Sequence, residues 1–87
     1  MPTQLFAKTT AAANSSDLTV TDTDPVTVSI KGSAGLDVLY IERKDSAGAY
    51  YAVKTLMDSK PGETITGAGV YRVRKVASTL AFGADQD

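Results

Sequence analysis

The chain has no cysteine, no histidine and no tryptophan. Without cysteine there is no disulfide, and no thiolate for a metal or a nucleophile. Without histidine the Ser–His and Cys–His catalytic pairs are excluded, and a zinc site would need carboxylates alone. A surplus of one charge is also missing. Nine Lys and Arg stand against ten Asp and Glu, a formal charge of −1. A free-standing binder of nucleic-acid backbone carries a basic surplus, so nucleic acid is a disfavoured partner. No apolar run approaches the roughly 20 residues of a membrane helix, and no membrane partner is expected. Met1 to Ala13 lacks the charged-then-apolar order of a signal peptide.

What is present is one small domain: 87 residues, 43% of them hydrophobic. Surface scaling lets such a chain bury about 60% of its unfolded area, enough for one thin core. With no disulfide or metal to support that core, association with other chains is the expected source of added stability.

From Asp17 the apolar residues recur with period two. Leu18 and Val20 alternate with threonines; Val26, Val28 and Ile30 alternate with Thr27, Ser29 and Lys31. Leu36 to Lys44 is apolar on both faces and predicts a central or doubly covered strand. Asp45 to Gly48 reads as a type I hairpin turn followed by a left-handed glycine, with Tyr50 to Leu56 as the return strand. Glu63–Thr66, Val70–Val76 and Leu80–Gly83 follow, punctuated by Pro61-Gly62 and by Gly67-Ala68-Gly69. About seven short strands with no helical stretch predict an all-β fold, a small β-sandwich or barrel. Ala47–Leu56 is the one segment that an α+β alternative could use as a helix, and its two tyrosines and valine argue against it. The expected division is an extended N-terminal arm over residues 1–16, in which Gln4, Leu5, Phe6 and Ala7 could make a short strand, a β-sandwich domain over 17–84 and a frayed tail over 85–87.

Few residues suggest chemistry. Arg72 and Arg74, two apart on a strand, project from one face, with Lys75 opposite. Arg43 ends another strand. Arginine with tyrosine is the pairing enriched at interface anchors. Stacking of single-stranded bases on Tyr40, Tyr50, Tyr51 and Tyr71 is the nucleic-acid alternative. Leu5 and Phe6 could dock on a neighbouring chain. The expected partner-binding residues are therefore Leu5, Phe6, Arg43, Tyr71, Arg72 and Arg74. Asp17, Asp22 and Asp24 lack the later Gly and bidentate Glu of a calcium loop, and turn chemistry accounts for them. Glu42 is the one acid expected to be semi-buried, as a partner for Arg74 or Lys54. No nucleophile has an evident base, and Gly67-Ala68-Gly69 lacks the rest of a phosphate-binding fingerprint. No catalytic, metal or cofactor-binding residue is assigned, and no cofactor is expected.

Three stretches carry a resemblance when taken in order. The first is Ser16-Asp17-Leu18-Thr19-Val20 followed by Asp24-Pro25-Val26-Thr27-Val28-Ser29-Ile30-Lys31-Gly32. The second is Ile41-Glu42-Arg43-Lys44-Asp45-Ser46-Ala47-Gly48-Ala49-Tyr50. The third is Gly67-Ala68-Gly69-Val70-Tyr71-Arg72-Val73-Arg74-Lys75, near Gly83. This order, over about residues 16–84, resembles small structural proteins of tailed bacteriophages, including those that decorate or cement heads. The resemblance implies a non-enzymatic virion component that binds the outer head surface and stabilises the capsid lattice. Its partner would be the major capsid protein, with synthesis in the host cytoplasm. Together with capsid symmetry, the resemblance implies a homo-oligomer, a trimer at local three-fold positions. A tail or head–tail connector subunit, or a carbohydrate- or receptor-binding β-module, is the alternative.

Overall fold

The structure is a computed structural model that describes residues 3–87. The described residues form nine strands and no helix: β1 (Thr3–Thr9), β2 (Ala13–Asn14), β3 (Leu18–Val20), β4 (Val26–Gly32), β5 (Leu39–Lys44), β6 (Tyr50–Leu56), β7 (Gly62–Ile65), β8 (Gly69–Lys75) and β9 (Phe82–Gln86). They make two antiparallel sheets, one ordered β1-β9-β4-β7 and one ordered β2-β8-β5-β6, with β3 also on β8.

The period-two pattern accounts for the core. Leu39 and Ile41 on β5, Tyr71 and Val73 on β8, and Leu18 and Val20 on β3 are buried from one sheet; Val28, Ile65, Phe82 and Ala84 are buried from the other. They join in a single cluster. The β5–β6 hairpin closes on Asp45, whose carboxylate accepts the Ala47 and Ala49 N–H groups, both at 2.9 Å, while Gly48 takes φ +85°. That is the left-handed position a glycine fills without steric cost.

Three features depart from the sequence reading. Residues 3–9 do not stand apart as an arm: β1 pairs with β9, and Leu5 and Phe6 pack half-buried on the chain's own core. The register slips twice along β1, between Gln4 and Phe6 and between Phe6 and Thr9. Met1 and Pro2, the start of the expected arm, lie outside the described residues.

The C-terminal residues are not frayed. β9 runs to Gln86 between β1 and β4, and Asp87 exchanges two backbone hydrogen bonds with Thr27, at 2.8 and 3.0 Å. Polar side chains suggested fraying, but the main chain at Asp85 and Gln86 pairs with strands on both sides, and the Asp85 carboxylate meets Lys31 at 3.0 Å.

Finally, nine strands replace about seven, partly because the segment before β4 breaks into β2 and β3, both on one edge of β8. Ser15 bridges the break. Its N–H donates to the Val73 carbonyl and its hydroxyl accepts the Val73 N–H, each at 2.8 Å. This edge is therefore interrupted rather than open for continuous pairing.

Candidate functional site

The outward face of the five-stranded sheet holds the most developed side-chain cluster. Register places Tyr40 opposite Arg74, Glu42 opposite Arg72, and Lys44 opposite Tyr50. Because β5 and β8 alternate, Tyr40, Glu42, Arg72 and Arg74 all leave the sheet on the side away from Leu39, Ile41, Tyr71 and Val73.

Glu42 lies at the centre. Its Oε1 accepts the Arg72 Nε–H at 2.7 Å and its Oε2 accepts the Arg74 Nε–H at 3.0 Å. Each guanidinium also lies over a tyrosine: Arg72 over Tyr50 at 3.8 Å from the ring centre, and Arg74 over Tyr40 at 4.7 Å. Both distances are well inside the range of cation–π attraction. Glu42 itself is only 5% exposed, so solvent meets the arginines rather than the carboxylate. Burial works against its charge, but the hydrogen bonds and charges of Arg72 and Arg74 outweigh it and hold the carboxyl below its usual range.

One end of the face is closed by its own charges. The Tyr50 hydroxyl donates to Asp17, which also meets Lys44 at 3.7 Å. That hydrogen bond raises the pKa of the Tyr50 phenol above its ordinary value.

The six predicted partner-binding residues separate. Arg72 and Arg74 come together on this face. Tyr71 does not: it is 5% exposed, and its hydroxyl donates to the Gly67 carbonyl at 2.8 Å. As an inward residue next to Val73 in a strict alternation, it is core, so its assignment as a partner residue is corrected. Leu5 and Phe6 belong to β1 and the core margin. Arg43 donates to the Ala68 carbonyl at 3.1 Å and lies over Tyr71 at 5.9 Å, bracing the 67–69 corner. Of the two partners expected for Glu42, Arg74 is found. Lys54 instead pairs with Glu63 at 2.9 Å.

Sequence reasoning missed Lys75 as a buried group. At 1% exposure its ammonium donates to the Ala11 and Val76 carbonyls and the Ser78 hydroxyl, at 3.2, 3.1 and 2.7 Å, and lies 4.4 Å from the Phe82 ring centre. Burial lowers its pKa, partly offset by the charge of Asp37. The alternation Tyr71, Val73, Lys75 was the available signal. The roles of Asp17 and Lys44 at the edge of the face had no local signal.

Elsewhere, Asp17, Asp22 and Asp24 do not converge, and among the described residues no three metal-ligating side chains come together. A shallow cavity of about 340 Å³ lies beside the β4–β5 turn, where Leu36 projects fully into solvent. Its lining is mostly apolar and includes Leu80 and Asp37. The arrangement on the five-stranded sheet suits binding: it presents rigid, planar donors and aromatic edges, with no nucleophile–base pair among them. No protein-family model, curated protein or solved structure matches the chain.

Proposed function

We propose that the chain is a non-enzymatic structural protein of a tailed-phage virion, a β-sandwich head decoration protein that grips its partner with the Tyr40–Arg74–Glu42–Arg72–Tyr50 face. The observation that carries this reading is the ordering of that face before any partner arrives. Two arginines are each held by a carboxylate and a tyrosine ring. Long side chains normally lose rotamer freedom at an interface, about 0.5–1.5 kcal/mol each, and here part of that loss is already met within the folded chain. Arginine and tyrosine are also the residue types that concentrate binding energy at interface centres.

The resemblance of residues 16–84 to small phage structural proteins supplies the virion and the capsid partner. The small core supplies a reason for a homo-oligomer, with a trimer as the form that capsid three-fold positions would accept. Rebinding to stripped heads tests the proposal. Heads freed of the protein should take up the wild-type chain to saturation, while Arg72→Glu/Arg74→Glu, checked for folding by circular dichroism, should leave them bare. Equal uptake of the two proteins would remove this face from the capsid contact.

A further inference from the structure

We infer that the Arg72–Arg74 pair is a receptor for carboxylates, and that the partner segment seated on it is acidic: two or more Asp or Glu side chains presented by another protein. The inference rests on reading this face as the partner surface, and it adds the chemistry of what sits there.

The donor inventory leads to it. A guanidinium has five N–H donors, one on Nε and four on the two Nη atoms. Glu42 takes the Nε–H of each arginine. Among the described residues no Nη of Arg72 or Arg74 has a hydrogen-bond partner, whereas Arg43 spends an Nη on the Ala68 carbonyl. Two forks therefore remain unused, on side chains that are 26% and 34% exposed. Their planes are restrained by Tyr50 and Tyr40 beneath them. A planar fork held in place matches a carboxylate in bidentate fashion.

The charge count agrees. Glu42 is one anion shared by two cations, so the pair keeps one unit of positive charge. Most other cations have local partners: Lys31 meets Asp85, Lys44 meets Asp17, and Lys54 and Lys60 both meet Glu63. Lys54 and Lys60 likewise share one carboxylate, but theirs are flexible ammonium groups, whereas here the excess charge sits on two planar guanidiniums with Glu42 buried between them and Asp17 set apart at the Tyr50 end. A nucleic-acid track would need a longer row of free cations along the sheet. Here the row stops at the Lys44–Asp17 pair. A short acidic segment fits that limited reach.

The test titrates the full 87-residue chain with an acetylated, amidated tetraglutamate peptide, followed by NMR of backbone amides and the Arg72 and Arg74 Nε–H signals. Inorganic phosphate, a decathymidylate and tetralysine are titrated in parallel. Tetraglutamate should shift Tyr40, Tyr50, Arg72 and Arg74 saturably and leave β1 and β9 unmoved, with phosphate and decathymidylate weaker. Arg72→Lys/Arg74→Lys keeps both charges and removes the forks, and should weaken tetraglutamate about tenfold or more. No saturable shift in the wild type at low salt would overturn the inference. So would tighter binding of phosphate or decathymidylate, or a lysine variant that binds tetraglutamate as well as wild type. Failure here with wild-type chain still rebinding heads through this face would discard the acidic ligand alone. Tetraglutamate binding with head uptake indifferent to the Arg→Glu pair would keep the ligand and discard the capsid.

Discussion

Replacing Glu42 by glutamine changes almost no volume and removes the one charge on which the Arg72–Arg74 face is assembled. The side chain is 7% exposed and accepts two charge-assisted hydrogen bonds, at 2.7 and 3.0 Å. Such bonds contribute about 1.5–3 kcal/mol each when both partners are buried. The arginines are 26% and 34% exposed, so water can take over part of what Glu42 supplied them, and the sum must be discounted. The amide also keeps one acceptor oxygen. A loss of about 2 kcal/mol is expected for Glu42→Gln, with the two guanidiniums left facing each other across a neutral group. With a urea dependence of about 1 kcal/mol per molar for so small a domain, the midpoint should fall by about 2 M. The assay is urea unfolding followed by circular dichroism and by tyrosine emission, which is available because the chain has four tyrosines and no tryptophan. In a double-mutant cycle with Arg72→Met the two changes should couple by about 1 kcal/mol or more. A midpoint shift below about 0.5 M, or strictly additive effects, would refute the view that Glu42 organises the face.

Because the folded chain holds the Glu42 carboxyl below 4.5, its contribution is present above that pH and is lost as the pH falls through the folded value; Glu42→Gln should therefore flatten the acid limb of stability against pH, and an unchanged limb would contradict this. Gly83→Ala would set a Cβ 2.5 Å from the Phe6 carbonyl oxygen and 2.7 Å from the Ala7 carbonyl carbon, backbone atoms that cannot swing aside. About 2 kcal/mol of destabilisation and faster amide exchange in β1 are expected, and wild-type protection of β1 would count against the strand's place in the sheet. Lys75→Met removes a buried ammonium but orphans three oxygen acceptors, so stability at pH 7 should stay within about 1 kcal/mol of wild type while residues 76–81 exchange faster. Since burial lowers the folded pKa of Lys75 below 10.5, the wild type should gain on this variant as pH rises toward that value, and parallel pH profiles would show the ammonium carries no such penalty.

The parts of the fold that were legible in the sequence are those where side-chain alternation and turn chemistry are local. β4, β5, β6 and β8 follow from period-two runs, and the β5–β6 turn from Asp45 and Gly48. The Glu42–Arg74 pair was legible for a related reason: a semi-buried acid on a central strand needs a cation within reach, although the residue directly opposite Glu42 is Arg72. The pairing of β1 into the sheet and the end of β9 were not legible. Their pairing joins Thr3 to Gln86 across nearly the whole chain, and neither segment has a strong pattern of its own. Tyr71 and Lys75 show the opposite failure. Alternation with Val73 placed both inward, but a phenol and an ammonium suggested solvent, and the hydrogen bonds that make their burial tolerable come from loops no local pattern announces.

The proposed role is that of a virion part whose arginine face grips a protein lattice. The measurement that tests it most directly is the copy number of the chain per purified particle, relative to the major capsid protein. A decoration protein should be present in hundreds of copies, equal to the number of capsid subunits or a fixed fraction of it. A few copies to a few dozen would contradict decoration and place the chain in the tail or connector, and absence from particles would contradict the virion assignment altogether.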